Sequence, residues 1–132
     1  MNIQRHLRPL ILCVDDQETE DESKLFKRVL ESAGYRVLIA TGAGEALEMF
    51  QKNYVDLVLT EHIGPTMLNG PTLPAIMKML KPEVPVAIYS ADWAASPEDT
   101  SVADRFITKL VPLDDLLGTI KSLLAGGAKR AA

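Results

Sequence analysis

The 132-residue chain predicts a single α/β domain of the doubly wound kind. Short apolar runs that read as buried strands alternate five times with segments of helical apolar spacing. Right-handed crossovers between such strands place helices on both faces of a parallel sheet. Two of the runs also stop abruptly at acid: Leu10–Val14 at Asp15-Asp16, and Leu57–Thr60 at Glu61. Ligands of parallel sheets gather at the carboxyl ends of strands, so these acids are candidates for one shared site.

The elements follow in order. Leu10–Val14 is a continuous apolar run, the mark of a strand buried on both faces. After the polar stretch Gln17–Ser23, the residues Leu25, Phe26, Val29, Leu30 and Ala33 form one helical face, and Gly34 is its C-cap. Val37–Ala40 is the second strand. Ala46, Leu47 and Phe50 place a short helix over Ala43–Lys52. Val55–Thr60 is the third strand, and the loop from Ile63 to Gly70 leads to Pro71, a favourable first helical residue. Leu73, Ile76, Met77 and Leu80 carry that helix. Val84–Tyr89 is the fourth strand, followed by Ser90. Ser96-Pro97-Glu98-Asp99 reads as a helix start, with a side-chain cap, an early proline and acids at the positive end of the dipole. Arg105–Thr108 is the fifth strand. Leu113, Leu116, Leu117, Ile120, Leu123 and Leu124 stripe a closing helix. Residues 1–9 are expected to be an N-terminal extension, 10–125 the domain, and 126–132 a flexible tail opening with Gly126-Gly127.

Composition narrows the function. A net charge of -4 argues against a general nucleic-acid binder, and the one short basic cluster, Lys129-Arg130, lies in the tail. The single cysteine forms no internal disulfide, which fits a reducing cytoplasm, and Cys13 reads as a small core residue rather than a reactive thiol. No apolar stretch has the length of a membrane span. The start, Arg5 to Arg8 followed by an apolar run, is too short in its apolar part for a signal peptide and ends at aspartates. A cytoplasmic protein without membrane or nucleic-acid partners is expected.

Four strand ends carry polar groups: Asp15-Asp16, Glu61, Ser90 and Lys109. Clustered carboxylates repel unless a cation or protons neutralise them. Magnesium takes one or two carboxylates together with phosphate oxygens. A hydroxyl and an ammonium opposite would hold the remaining phosphate oxygens. Each residue alone says little, whereas the ordered set is specific.

From Leu10 to Leu124 the chain resembles the receiver domain of two-component response regulators. The matching segments are Ile11–Asp16, Leu30–Val37, Gly44–Leu47, Asp56–Glu61, Pro65–Met67, Asn69-Gly70, Val84–Val86, Ser90-Ala91 and Phe106–Lys109. The resemblance implies a flavodoxin-like (βα)5 three-layer sandwich with parallel strand order 2-1-3-4-5. It further implies that a histidine kinase passes a phosphoryl group to an acceptor at position 61. Mg2+ would be held by Asp15, Asp16, the acceptor Glu61 and the backbone carbonyl of Ile63. Ser90 and Lys109 would bind the phosphoryl oxygens, and Phe106 would be the aromatic switch on the face formed by the last two helices and the strand between them.

The sequence departs from that pattern where the chemistry happens. Glu61 stands where the family has aspartate, and one extra methylene moves the carboxylate outward by about 1.5 Å. An ångström-scale misplacement in phosphoryl transfer costs on the order of a hundredfold in rate. Loss of ordinary aspartyl phosphorylation is therefore expected, with Mg2+ binding weakened by Glu61. Glu61 then either reaches toward Ser90 and Lys109 as a mimic of the phosphorylated state or leaves an inert scaffold. Leu110 replaces the proline usual after the lysine, so a trans bond is expected there. The loop from Glu61 to Gly70 is slightly long, and the stretch from Ser90 to Lys109 slightly short, so the helix within it should be short or irregular.

Other residues have simpler readings. Trp93 either covers the site or contacts a partner or, at least equally well, serves local packing. His62 is expected to be a solvated loop residue rather than an alternative acceptor, and Glu18, Glu20, Asp21 and Glu22 to form a solvated loop and helix start. The expected function is thus a stand-alone, atypical, non-enzymatic receiver acting by protein–protein contact, with output through a signalling partner or self-association. The alternative is a receiver that still accepts phosphate from a histidine kinase. A Mg2+-dependent phosphatase or phosphotransferase ranks lower, because Asp15-Asp16-Gln17 lacks the Asp-x-Asp spacing of such enzymes. A flavin-binding flavodoxin is also disfavoured, since a phosphate needs amides and hydroxyls where this first loop is acidic.

Overall fold

The computed structural model of the chain describes residues 8–16, 18–61, 70–91 and 102–131. Its elements are β1 (Leu10–Val14), α1 (Glu20–Ser32), β2 (Arg36–Ala40), α2 (Ala43–Lys52), β3 (Leu57–Thr60), α3 (Leu73–Leu80), β4 (Val86–Ser90), β5 (Arg105–Thr108) and α4 (Leu113–Ala131). The strands form one parallel sheet in the order β2-β1-β3-β4-β5. This is the flavodoxin-like order that the resemblance implies. The helix start expected at Ser96–Asp99 lies outside the described residues.

Side chains alternate across the sheet and build a core on each face. Leu10, Leu12, Val14, Val58 and Val86 pack with Phe50 of α2 and with Leu73 and Met77 of α3. Ile11, Cys13, Leu57, Leu59, Ala87 and Ile107 pack with Leu30 of α1 and with Leu116, Ile120 and Leu123 of α4. β1 and β3 are buried at every position, which is why their sequences run apolar without alternation. Among the described residues no helix is long and apolar enough to cross a membrane.

Several boundaries move for identifiable reasons. α1 begins at Glu20, ahead of its apolar stripe, because Thr19 caps it by accepting the Glu22 backbone N–H at 3.1 Å. Its end is as expected: Gly34, at φ 102°, lets Gly34 and Tyr35 donate back to Glu31 and Leu30 in a Schellman arrangement. β3 starts at Leu57, not Val55, because Asp56 clamps Leu10, donating its N–H to the Leu10 carbonyl and accepting the Leu10 N–H on Oδ2, both at 2.8 Å. β4 starts at Val86 rather than Val84 and includes Ser90, which pairs with Thr108. Pro85 has no N–H to donate to the ladder. α3 begins at Leu73 after the cap Thr72, with Pro74 in the first turn, so Pro71 precedes the helix. The Pro9 and Arg8 carbonyls accept from Arg36, which ties two residues of the expected extension to the domain. α4 continues through Gly126 to Ala131, past the point where the sequence places a tail. Gly126 does not adopt the left-handed conformation that would end it.

Candidate functional site: one lysine among three carboxylates

Three ladders are each extended by one residue beyond the strand. Asp15 N–H donates to the Ala40 carbonyl, Glu61 N–H to Val14, and Lys109 N–H to Ser90, at 2.8–3.0 Å. Alternation therefore continues past the strand ends. Asp15 follows Ile11 and Cys13, Glu61 follows Leu57 and Leu59, and Lys109 follows Ile107, all on the sheet face covered by α1 and α4.

The side chains meet there. Lys109 Nζ lies 2.6 Å from Asp15 Oδ2, 2.6 Å from Glu61 Oε2 and 3.4 Å from Glu18 Oε1. Glu18 is itself fixed, donating its N–H to Asp15 Oδ1 at 3.2 Å and accepting the Ser23 hydroxyl at 3.1 Å. Below the cluster is an apolar floor that includes Cys13, Phe26, Ile39, Leu59 and Tyr89. The Tyr89 ring centroid is 5.5 Å from Lys109 Nζ and stacks on Phe26 at 5.6 Å and 14°.

The charge count explains the electrostatics. Burial pushes the Glu61 carboxyl above the ordinary glutamate value of 4.5, and its hydrogen bond with Asp15 adds to this, while Lys109 pulls the other way. Burial works against the charge on Lys109, but hydrogen bonds to Asp15 and Glu61 outweigh it and raise the ammonium above its ordinary value. Burial pushes the Cys13 thiol far up, with Glu18 and Asp15 adding to the effect, so Cys13 is the inert core residue expected.

The structure brings Asp15, Glu61 and Lys109 together. Ser90 is buried and meets the cluster through its backbone, its carbonyl accepting the Lys109 N–H. Asp16 is exposed beside the cluster. Phe106 is half-buried, next to Ile88 in register, which places it on the opposite face from Lys109. Ile63, His62 and Trp93 lie outside the described residues. Glu18 corrects the sequence reading: it is an ion-paired member of the site, whereas Glu20, Asp21 and Glu22 are exposed in the first turn of α1. Tyr89 and Phe26 were readable only as apolar positions. Their meeting under Lys109 depends on how α1 crosses β4.

Oxygen donors of this kind suit a hard cation such as Mg2+. As arranged, Asp15 and Glu61 converge on the Lys109 ammonium, and among the described residues no group of three ligating side chains is set to hold a metal. The peptide bond to Leu110 is trans, since none of the described residues has a cis bond.

Residues 11–121 match the family described as the response regulator receiver domain. The chain belongs to that family. The receiver is 33% identical over 84 residues to the autoinducer 1 sensor kinase/phosphatase LuxN of Vibrio campbellii, a match covering 64% of this chain and 10% of LuxN. It thus spans about a tenth of that relative. It is similar to a CheY-like receiver domain from Methanospirillum hungatei, at 28% identity and a TM-score of 0.75 over 93% of this chain and 98% of that one. It is also similar to the Thermotoga maritima response regulator TrrA. The structure of TrrA with Mg2+ and BeF matches at 25% identity and a TM-score of 0.72, over 87% and 98% of the two chains. Its complex with the histidine kinase ThkA matches at 26% and 0.70, over 88% and 98%. The receiver domain is generally a signalling module rather than a catalyst.

Proposed function

We propose that this receiver works in two-component signalling by protein–protein contact, with ordinary aspartyl phosphorylation lost. The observation that carries this reading is the Glu61 Oε2–Lys109 Nζ contact of 2.6 Å. The glutamate carries its carboxylate to the lysine that a phosphoryl group would engage, without a kinase. Its other neighbour, Asp15, shares the same ammonium. Mg2+ held by Asp15, Asp16, Glu61 and the Ile63 carbonyl would have to compete with Lys109 for two of those donors, so its binding is weak. Ser90 and Phe106 keep the positions of the phosphoryl-binding hydroxyl and the aromatic switch. By likeness to TrrA, the partner is a histidine kinase or another cytoplasmic signalling protein, with self-association as the alternative output.

A second reading has one favourable feature. Lys109, Ser90 and the Asp15-Asp16 pair are all retained, so a receiver that slowly accepts phosphate remains chemically equipped. Incubating the protein with a small acyl phosphate and Mg2+ and measuring intact mass separates the two. We expect no phosphoryl gain on the wild type and a gain on Glu61→Asp, whose shorter side chain restores the in-line position. Phosphate on the wild type would overturn the first reading, and phosphate on neither protein would mean an inert scaffold.

A further inference from the structure

We propose that Tyr89, backed by Phe26, is a positioning residue that holds the Lys109 ammonium in place on the acid cluster. The inference rests on the reading of Lys109 as the centre of the functional site. Lysine is a compact charge on a flexible four-carbon stem with no preferred direction of hydrogen bonding. Three carboxylates supply attraction but not a position: Asp15, Glu18 and Glu61 offer several oxygens at 2.6–3.4 Å, among which an ammonium can exchange. The missing constraint comes from the floor. The Tyr89 ring lies 5.5 Å from Nζ, within the range where the negative face of an aromatic ring attracts a cation. Only 20% of the Lys109 side chain is exposed, so water competes little for that interaction.

The ring is itself fixed. Tyr89 leaves β4 on the same sheet face as Lys109, beside Ile107 in register, so the strand aims it at the site. Phe26 lies nearly parallel to it at 5.6 Å, and α1, which carries Phe26, is locked at both ends by the Thr19 cap and the Gly34 turn. A chain of contacts therefore runs from α1 through two rings to the ammonium. Removing either ring should loosen Lys109 while its three acids stay in place.

The test is the hydrogen-exchange rate of the Lys109 ammonium, read from 1H–15N spectra of the lysine side chains at low temperature. Wild type and Tyr89→Phe should show a slowly exchanging Lys109 signal. Tyr89→Leu should exchange about threefold to tenfold faster. Phe26→Leu should fall between, and far-UV circular dichroism should be unchanged in all. A purely structural role for Tyr89 would not predict rescue by phenylalanine. Wild-type exchange in Tyr89→Leu would overturn the proposal, and so would a Tyr89→Phe protein that behaves like the leucine variant. Should Tyr89→Leu fail to fold, wild-type exchange in Phe26→Leu overturns it. Glu61→Ala in the same assay distinguishes the two inferences. Slow exchange there, with fast exchange in Tyr89→Leu, removes the Glu61 contact and keeps the aromatic platform, and the reverse pattern does the opposite.

Discussion

Lys78 and Lys109 sit at opposite ends of the strands β4 and β5, each with 20% of its side chain exposed and each ion-paired, yet their surroundings differ in kind. Lys78 reaches from α3 to the start of β4 and β5. It donates to Asp104 Oδ2 at 2.9 Å and to the carbonyls of Pro82 and Val84 at 3.0 and 3.2 Å. Asp104 also accepts the Val86 N–H at 2.8 Å. Among the described residues the Lys78 ammonium meets one carboxylate, and two neutral carbonyls complete its hydrogen bonds. Through its side chain Lys109 donates, among the described residues, to three carboxylates and to no backbone carbonyl. A balanced pair fixes the fold. A cluster with excess negative charge is the kind of electrostatically perturbed group found at functional sites.

The largest expected effect breaks the acidic side of this comparison. Lys109→Met leaves Asp15, Glu18 and Glu61 without their shared counter-charge, and should cost about 3 kcal/mol at neutral pH, the low end for an orphaned buried partner because the site is partly open. The sign with pH follows from proton linkage. Lys109 pulls the raised Glu61 carboxyl down, so without it Glu61 holds its proton still more tightly folded than unfolded, and the variant regains stability as pH falls and loses it as pH rises through the raised Glu61 value. Urea unfolding at pH 4.5 and 7.5 should show the deficit against wild type shrinking at the lower pH. An equal deficit at both would mean that Lys109 does not neutralise the cluster. In the wild type, the raised Lys109 value means its contribution is intact below pH 10.5 and lost as pH rises through the folded value.

The balanced pair should respond less. Lys78→Met should cost about 2 kcal/mol, since Asp104 keeps the Val86 N–H as a donor. Its deficit should vary with pH more shallowly than that of Lys109→Met, because the substitution removes a counter-charge from one carboxylate rather than from three. The same urea titrations measure both. A steeper dependence for Lys78→Met would reverse the assignment of which lysine serves the fold and which the site.

These differences were unequally legible in the sequence. The five strands, their order through the receiver resemblance, and the meeting of Asp15, Glu61 and Lys109 could be read, because strand-end residues are placed by topology alone. Glu18 was misread as solvated: nothing in Asp15-Asp16-Gln17-Glu18 says that the chain turns it back toward Lys109 while its neighbours in α1 face water. Tyr89 looked like an ordinary strand residue, and its role depends on the crossing of α1. Lys78 and Asp104 are 26 residues apart, and no local pattern announces their pairing. Helix starts were displaced wherever a threonine cap outranked a proline or an apolar stripe, as at Thr19 and Thr72.

The smallest effect sharpens the comparison most, because it adjusts the charge excess by one unit and leaves the lysine. Glu61→Gln keeps an oxygen that can accept from Lys109 and removes one negative charge. Glu61 carries a raised value chiefly because it is buried, with Asp15 adding to the rise. A carboxyl raised in the folded state favours folding below its unfolded value and loses that contribution as pH rises through the folded value. Wild type therefore carries the cost of ionised Glu61 at pH 7, and the glutamine variant does not. Glu61→Gln should be at least as stable as wild type at pH 7, by less than about 1 kcal/mol given the partial exposure. The difference should close as pH falls below 4.5, where Glu61 is protonated in both states. A glutamine variant less stable at pH 7 would mean that the Glu61–Lys109 contact outweighs the crowding of acids. The cluster would then be a balanced structural pair like Lys78 and Asp104, and the contrast between the two lysines would fail at the residue that defines it.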